Sequence, residues 1–158
     1  MIHIIDNFLS DSDCDELVKI YKENENDSYK YHGSFPLDIS SRLAYNNPII
    51  ETIYDRIKSI CYDLNDQEDI SCYTFQLVKW NQFSFQADHY DLHDTRFSCI
   101  LYLNDDYSGG NTVIEYQDRI KVKGKGRLLI LENSDSILHS VQTISSGIRY
   151  TLAVWFEI

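Results

Sequence analysis

The sequence predicts a mainly β fold of the α+β class, an antiparallel sandwich or jelly roll with N-terminal helices packed on one sheet. Three observations carry that expectation. Two amphipathic helical stretches lie within about residues 10–62, and from Ile70 to the end the pattern changes to short β-rich runs divided by Gly, Asn, Asp and Ser. The composition agrees: 13% of residues are aromatic, with 12 Tyr and 7 Phe, 43% are apolar, and Gly and Pro are scarce, which suits a folded, strand-rich chain. A chain of 158 residues is long enough for one core of two packed layers and short for two. A single domain over 1–158 is expected, with helical support at about 10–62 and a β core at about 70–158.

In chain order, Ile2 to Ile5 is a short β-type run, and Asn7 to Ser10 turns toward a helix. Ser10 is a good N-cap, Asp13 sits three residues on as a weaker capping-box partner, and Leu9 can pack on Cys14. Cys14, Leu17, Val18 and Tyr21 repeat at helical spacing, predicting a helix over Asp11 to Lys22 that the polar run Glu23 to Asp27 ends. Residues 28–46 hold no sustained period and read as an irregular, partly extended connection or lid. Asn47 then caps a second helix, with Pro48 at its first position and an apolar stripe of Ile49, Ile50, Ile53, Tyr54, Ile57, Ile60 and Cys61. Strands are expected at 70–79, 83–88, 96–103, 111–116, 119–123, 127–132, 138–143 and 147–157. Turn signals fall at Asp105 to Gly110, Gly124 to Gly126, Asn133 to Asp135 and Ser145 to Gly147.

The formal net charge of -11 argues against unaided electrostatic binding to nucleic acid or an anionic membrane. The N-terminus has no basic segment followed by an apolar run, and no stretch reaches the length of a membrane span, so a cytoplasmic protein is expected. Cys14, Cys61, Cys72 and Cys99 are spaced by 47, 11 and 27 residues without a C-x-x-C, and read as core thiols.

Chemistry concentrates around His89-Tyr90-Asp91. In extended backbone residues i and i+2 share a face, so His89 and Asp91 can grip one ion together. Alone, an H-x-D in a loop rich in Asp is more readily a coincidence than a ligand pair. His139, from a later strand, would complete the two-His, one-carboxylate facial triad that leaves coordination positions open and marks non-haem Fe(II) oxygenases. On the last strand Arg149, Thr151, Ala153 and Trp155 share one face, and Ile148, Tyr150, Leu152, Val154 and Phe156 the other. The second set is core, which turns Arg149 toward the interior of a two-sheet fold, where it needs an anion. On 96–103, Ser98, Ile100 and Tyr102 likewise oppose Phe97, Cys99, Leu101 and Leu103. A hairpin turning at Ser145-Ser146-Gly147 and centred on residue 144 would set His139 and Arg149, ten apart, nearly opposite each other. A dicarboxylate chelating a metal at one end and meeting arginine's planar fork at the other fits that arrangement.

With these residues in place, the sequence resembles the prolyl 4-hydroxylase-like branch of the Fe(II)/2-oxoglutarate-dependent dioxygenases. The resemblance runs through Trp80 nine residues before His89-Tyr90-Asp91, then Tyr102-Leu103-Asn104, Gly109-Gly110-Asn111-Thr112, His139 and Arg149-Tyr150-Thr151. The opening Ile5-Asp6-Asn7-Phe8-Leu9-Ser10 with Cys14 is similar too, while 25–70 matches weakly. The fold it implies is a double-stranded β-helix, the jelly roll. It further implies that His89, Asp91 and His139 bind Fe(II) and that Arg149 pairs with the distal carboxylate of 2-oxoglutarate, helped by Tyr102, Thr151 and the Trp80 position. O2 is the second cosubstrate, ascorbate sustains activity, and succinate and CO2 are released as a substrate C–H bond, that of a prolyl residue in a peptide or protein, is hydroxylated. Relatives lacking the carboxylate leave space for a halide, so Asp91 favours hydroxylation.

The chain departs from the family in carrying Trp80 where many relatives have Tyr, and no glycine between Asn81 and Asp88. Ser40-Ser41-Arg42 is faintly similar to a substrate-contacting stretch, which makes Arg42 a candidate substrate residue, and Trp155 another as a pocket wall. His93 and Asp94 read as surface loop, His3 and His32 as non-ligands, and Tyr90 as pointing away from the metal. Competing readings are a hydroxylase of another amino acid or a small molecule, a jelly-roll binding module without turnover, and a cupin-like isomerase or metal-binding protein. The complete set of three ligands plus Arg149 favours the hydroxylase.

Overall fold

The structure, a computed structural model, describes residues 1–40, 47–133 and 136–158. Arg42, the rest of 41–46, and Ser134 and Asp135 of the expected turn lie outside the described residues. Helix α1 (Asp11–Glu23) starts where Ser10 Oγ accepts the Asp13 amide at 3.2 Å, and it buries Cys14, Leu17, Ile20 and Tyr21. Helix α2 (Pro48–Leu64) starts where Asn47 Oδ1 accepts the Ile49 amide at 3.2 Å, and it buries Ile50, Ile53, Ile57 and Cys61. Each cap satisfies a helix-end amide that has no intrahelical acceptor and contributes about 1 kcal/mol.

The strands are β1 (Ile2–Ile5), β2 (Ser34–Asp38), β3 (Ser71–Trp80), β4 (Gln86–His89), β5 (Thr95–Tyr102), β6 (Ser108–Gly109), β7 (Thr112–Tyr116), β8 (Asp118–Val122), β9 (Leu128–Glu132), β10 (Leu138–Val141), β11 (Ile144–Ser146) and β12 (Arg149–Glu157). Six form one antiparallel sheet in the order β1-β9-β5-β12-β3-β2, four form a second in the order β4-β10-β7-β8, and β6 pairs with β11. This is the expected mainly β jelly roll. The strand β2 is the extended part of the stretch expected to be irregular and partly extended. Pro36 interrupts its pattern, and an edge position tolerates a residue without an amide N–H.

Strand parity divides the interior. Phe97, Cys99, Leu101, Leu152, Val154 and Phe156 join the helix residues in one core on the outer side of the six-stranded sheet. Their neighbours Ile100, Tyr102, Ala153 and Trp155 face the other sheet, in clusters with Ile114, Val122, Val141 and Ile144. The run Leu128 to Leu131 is wholly buried because it serves both layers. All four cysteines are free thiols, with Cys61 Sγ and Cys99 Sγ 3.5 Å apart between α2 and β5. Burial pushes the Cys99 thiol well above its ordinary range. Among the described residues no helix is long and apolar enough to cross a membrane.

The hairpin expected about residue 144 does not form. Both edges of β12 are taken by β3 and β5, and both edges of β10 by β4 and β7, so the two cannot pair. Residues Ile144–Ser146 form β11 instead, paired with β6, on the way from one sheet to the other.

Candidate metal centre and cosubstrate pocket

The first two candidate ligands meet through strand register. In the β4–β10 ladder His89 lies directly opposite His139, and their rings stand 4.3 Å apart between centroids. Each ring is fixed by its own backbone: His89 Nδ1 lies 2.9 Å from the Ala87 carbonyl oxygen and His139 Nδ1 3.0 Å from that of Ile137. A carbonyl only accepts, so Nδ1 carries the proton and Nε2 turns a lone pair to the site, the tautomer a metal requires. Asp91, two residues past His89, completes the set with Oδ1 3.8 Å from His89 Nε2 and Oδ2 3.5 Å from His139 Nε2. The three donor atoms lie within 4.8 Å of one another, close enough to hold one metal ion. Two imidazoles and one carboxylate suit Fe(II) and leave positions for a chelating ligand and O2.

His139 is 5% exposed, and burial lowers its pKa from the ordinary 6.5, against the opposing pull of Asp91. The unfolded chain therefore takes up a proton near pH 6.5, whereas the folded chain resists until lower pH, so stability falls as pH drops through that window. Thermal melts of metal-free protein at pH values above and below this window should show a larger loss in wild type than in His139→Asn. Equal losses would contradict the assignment.

The metal site lies at one part of a cavity of about 400 Å³ between the sheets, a size suited to a small ligand. Arg149, 1% exposed, lines the same cavity from the opposite sheet, facing Trp80 across the β12–β3 ladder. His139 and Arg149 thus share a cavity as expected, but across the gap between sheets. Arg149 Nη2 donates to Thr112 Oγ1 at 3.2 Å, and the Tyr102 hydroxyl donates to that same oxygen at 2.6 Å. The guanidinium lies 5.2 Å from the Trp80 ring centre and 5.5 Å from that of Tyr102. Burial drives the Tyr102 hydroxyl up to about 12 despite Arg149 beside it, so it stays a donor. Among the described residues no carboxylate pairs with Arg149. Its Nε, Trp80 Nε1 and the Tyr107 hydroxyl are buried without a partner. A buried cation with unused donors near it is suited to an anion.

Thr151 and Trp155 line the cavity too, but the hydroxyl that meets the guanidinium is Thr112's. Its signal was in the sequence: Gly109 and Gly110 adopt φ of 70° and 62°, and a Cβ on Gly109 would come within 2.2 Å of the Thr143 carbonyl. That glycine pair sets the turn delivering Thr112. Tyr90 is 58% exposed at the cavity mouth with Leu92, Tyr29 and Tyr31, and His32 also lines it. His93 is fully exposed beside Asp94, and His3 pairs with Glu132, both away from the metal site.

A model of the 2OG-Fe(II) oxygenase superfamily matches residues 73–157, more than half of the chain. No curated protein matches the sequence. Among solved structures, a Pseudomonas putida prolyl-4-hydroxylase superimposes with a TM-score of 0.82 at 18% identity, over 99% of this chain and 91% of that one. A Trichoplax adhaerens prolyl hydroxylase, solved with a hypoxia inducible factor oxygen degradation domain peptide fragment, gives 0.81 at 17%, over 99% and 83%. The viral collagen prolyl hydroxylase of Paramecium Bursaria Chlorella virus-1, solved as a 2OG complex, gives 0.73 at 19%, over 99% and 94%. At these identities the likeness speaks for the fold.

Proposed function

This chain belongs to the 2OG-Fe(II) oxygenase superfamily, and we propose that its three-ligand centre and Arg149 serve the hydroxylation of a prolyl residue in a peptide or protein. It is a 2-oxoglutarate-dependent dioxygenase. Fe(II), 2-oxoglutarate and O2 are the cofactor and cosubstrates this family uses. In the proposed reading His89, Asp91 and His139 hold the iron, while Arg149 takes the distal carboxylate of 2-oxoglutarate. The loaded site would couple decarboxylation of the cosubstrate to insertion of one oxygen of O2 into a substrate C–H bond, releasing succinate and CO2.

The observation that carries this reading is one cavity holding both the His89, Asp91, His139 cluster and a buried Arg149 that has no carboxylate partner among the described residues. Tyr102 and Arg149 converge on Thr112, which orients the guanidinium. Trp80 supplies a donor where many relatives have a tyrosine hydroxyl, since its Nε1 is buried and unused. The exposed Tyr29, Tyr31, Tyr90 and Leu92 at the mouth favour a peptide, because aromatic-lined grooves suit extended, proline-containing segments. The Trichoplax neighbour was solved with a peptide at hand, which supports the same class.

The test is succinate release from 2-oxoglutarate with Fe(II) and ascorbate, joined to mass spectrometry of proline-containing peptides for a gain of one oxygen. Absence of 2-oxoglutarate binding in the presence of Mn(II) would sink the reading. A narrower expectation concerns Trp80: Trp80→Phe removes one hydrogen bond to a charged group and weakens 2-oxoglutarate binding by about 10- to 100-fold. Isothermal titration checks the affinity, and unchanged binding would remove Trp80 from the anion site.

A further inference from the structure

We propose that Ser98, itself held by Asn133, is the positioning residue that aims the Asp91 carboxylate at the metal, an inference that rests on reading His89, Asp91 and His139 as the iron site. The two histidines need no outside help. Both sit on paired strands, and each ring is locked by the backbone carbonyl two residues before it, Ala87 on β4 and Ile137 just ahead of β10. Asp91 has no such support: it lies beyond the end of β4, outside any strand. A short side chain on irregular backbone, facing the cavity, would turn among several rotamers unless something outside its loop held it.

That support comes from the opposite sheet. Ser98 lies on β5 with its side chain on the cavity face, is 1% exposed, and lines the same cavity as the three ligands. Its hydroxyl donates to Asp91 Oδ2, the oxygen that stands 3.5 Å from His139 Nε2. Asn133, next after the end of β9, donates from Nδ2 to Ser98 Oγ at 2.6 Å. A serine hydroxyl has one proton and two lone pairs, and an amide nitrogen only donates. Asn133 therefore fills a lone pair and leaves the Ser98 proton for the carboxylate. The relay has one direction, Asn133 to Ser98 to Asp91, and it fixes the carboxylate plane from outside its own loop. The other oxygen, Oδ1, stays on the side of His89 Nε2 at 3.8 Å.

Groups that orient a metal ligand in this way are worth about 10- to 100-fold in metal affinity. Co(II) titrated into metal-free protein, read by its visible absorption, measures that affinity without turnover. Ser98→Ala should weaken Co(II) binding by about 10- to 100-fold, and Ser98→Thr, which keeps the hydroxyl, should recover most of it. In an Asp91→Ala background, Ser98→Ala should cause no further loss, whereas a general structural role would weaken binding in both backgrounds. If Ser98→Ala does not fold, the half-buried Asn133→Ala decides, with an expected loss of about 3- to 10-fold. Affinities of the variants equal to wild type would overturn the relay alone. A wild type that binds no Co(II) would overturn the iron-site reading and the relay with it.

Discussion

Asp91→Ala abolishes measurable succinate release and weakens Fe(II) or Co(II) binding by about 100- to 4,000-fold. The magnitude follows from what the substitution leaves behind. Asp91 is the only carboxylate in the three-residue cluster, so its removal leaves a divalent cation held by two neutral imidazoles. Breaking one partner of a buried charge pair costs about 3–5 kcal/mol, and each 1.4 kcal/mol is a factor of ten. His93→Ala is the control. His93 lies two residues from Asp91 but is fully exposed and, among the described residues, pairs with the neighbouring Asp94, so both readouts should stay at wild-type values. Retention of Co(II) affinity by Asp91→Ala, or its loss in His93→Ala, would show that the ion is held elsewhere.

Much of this site was legible because strands have a period of two. On β12 the uniformly apolar face of Tyr150, Leu152, Val154 and Phe156 had to be core, which sent Arg149 and Thr151 toward the cavity. The i, i+2 spacing of His89 and Asp91 worked for the same reason. Strand partners were not legible. The turn signal at Ser145-Ser146-Gly147 says that the chain bends there, but it does not say which edge is vacant, and β12 had none to offer. His139 reaches the cavity of Arg149 from the other sheet, so their separation of ten residues reflects a crossing between sheets. The sequence placed Ser98 on the face opposite the core and Thr112 after the Gly109-Gly110 turn, but not their partners, because the contacts with Asp91 and Arg149 arise only when the two sheets close on one cavity. The bounds of the strand at Ser34–Asp38 were hidden by Pro36, which interrupts the alternation of an edge strand.

Arg149→Met separates binding from folding. Arg149 is 1% exposed, has no carboxylate partner among the described residues and leaves Nε without an acceptor, so in the ligand-free protein it is a buried charge held by Thr112 and two aromatic faces. Replacing such a charge with an apolar chain of similar length is neutral or stabilising by about 1–4 kcal/mol. The ligand-free variant should therefore melt at the wild-type temperature or above it. Co(II) affinity should stay within a few-fold of wild type, because no ligand atom comes from β12. Binding of 2-oxoglutarate, by contrast, should fall by about 30- to 4,000-fold, the cost of about 2–5 kcal/mol for leaving a carboxylate without its buried cation. Arg149→Lys should fall between the two, because it keeps the charge but loses the planar fork that matches a carboxylate with two hydrogen bonds. Calorimetric titration with Mn(II)-loaded protein measures the anion and a melt without metal measures the fold. An Arg149→Met protein that binds 2-oxoglutarate like wild type would remove the anchor from this site, and one that unfolds would show that the guanidinium stabilises the core.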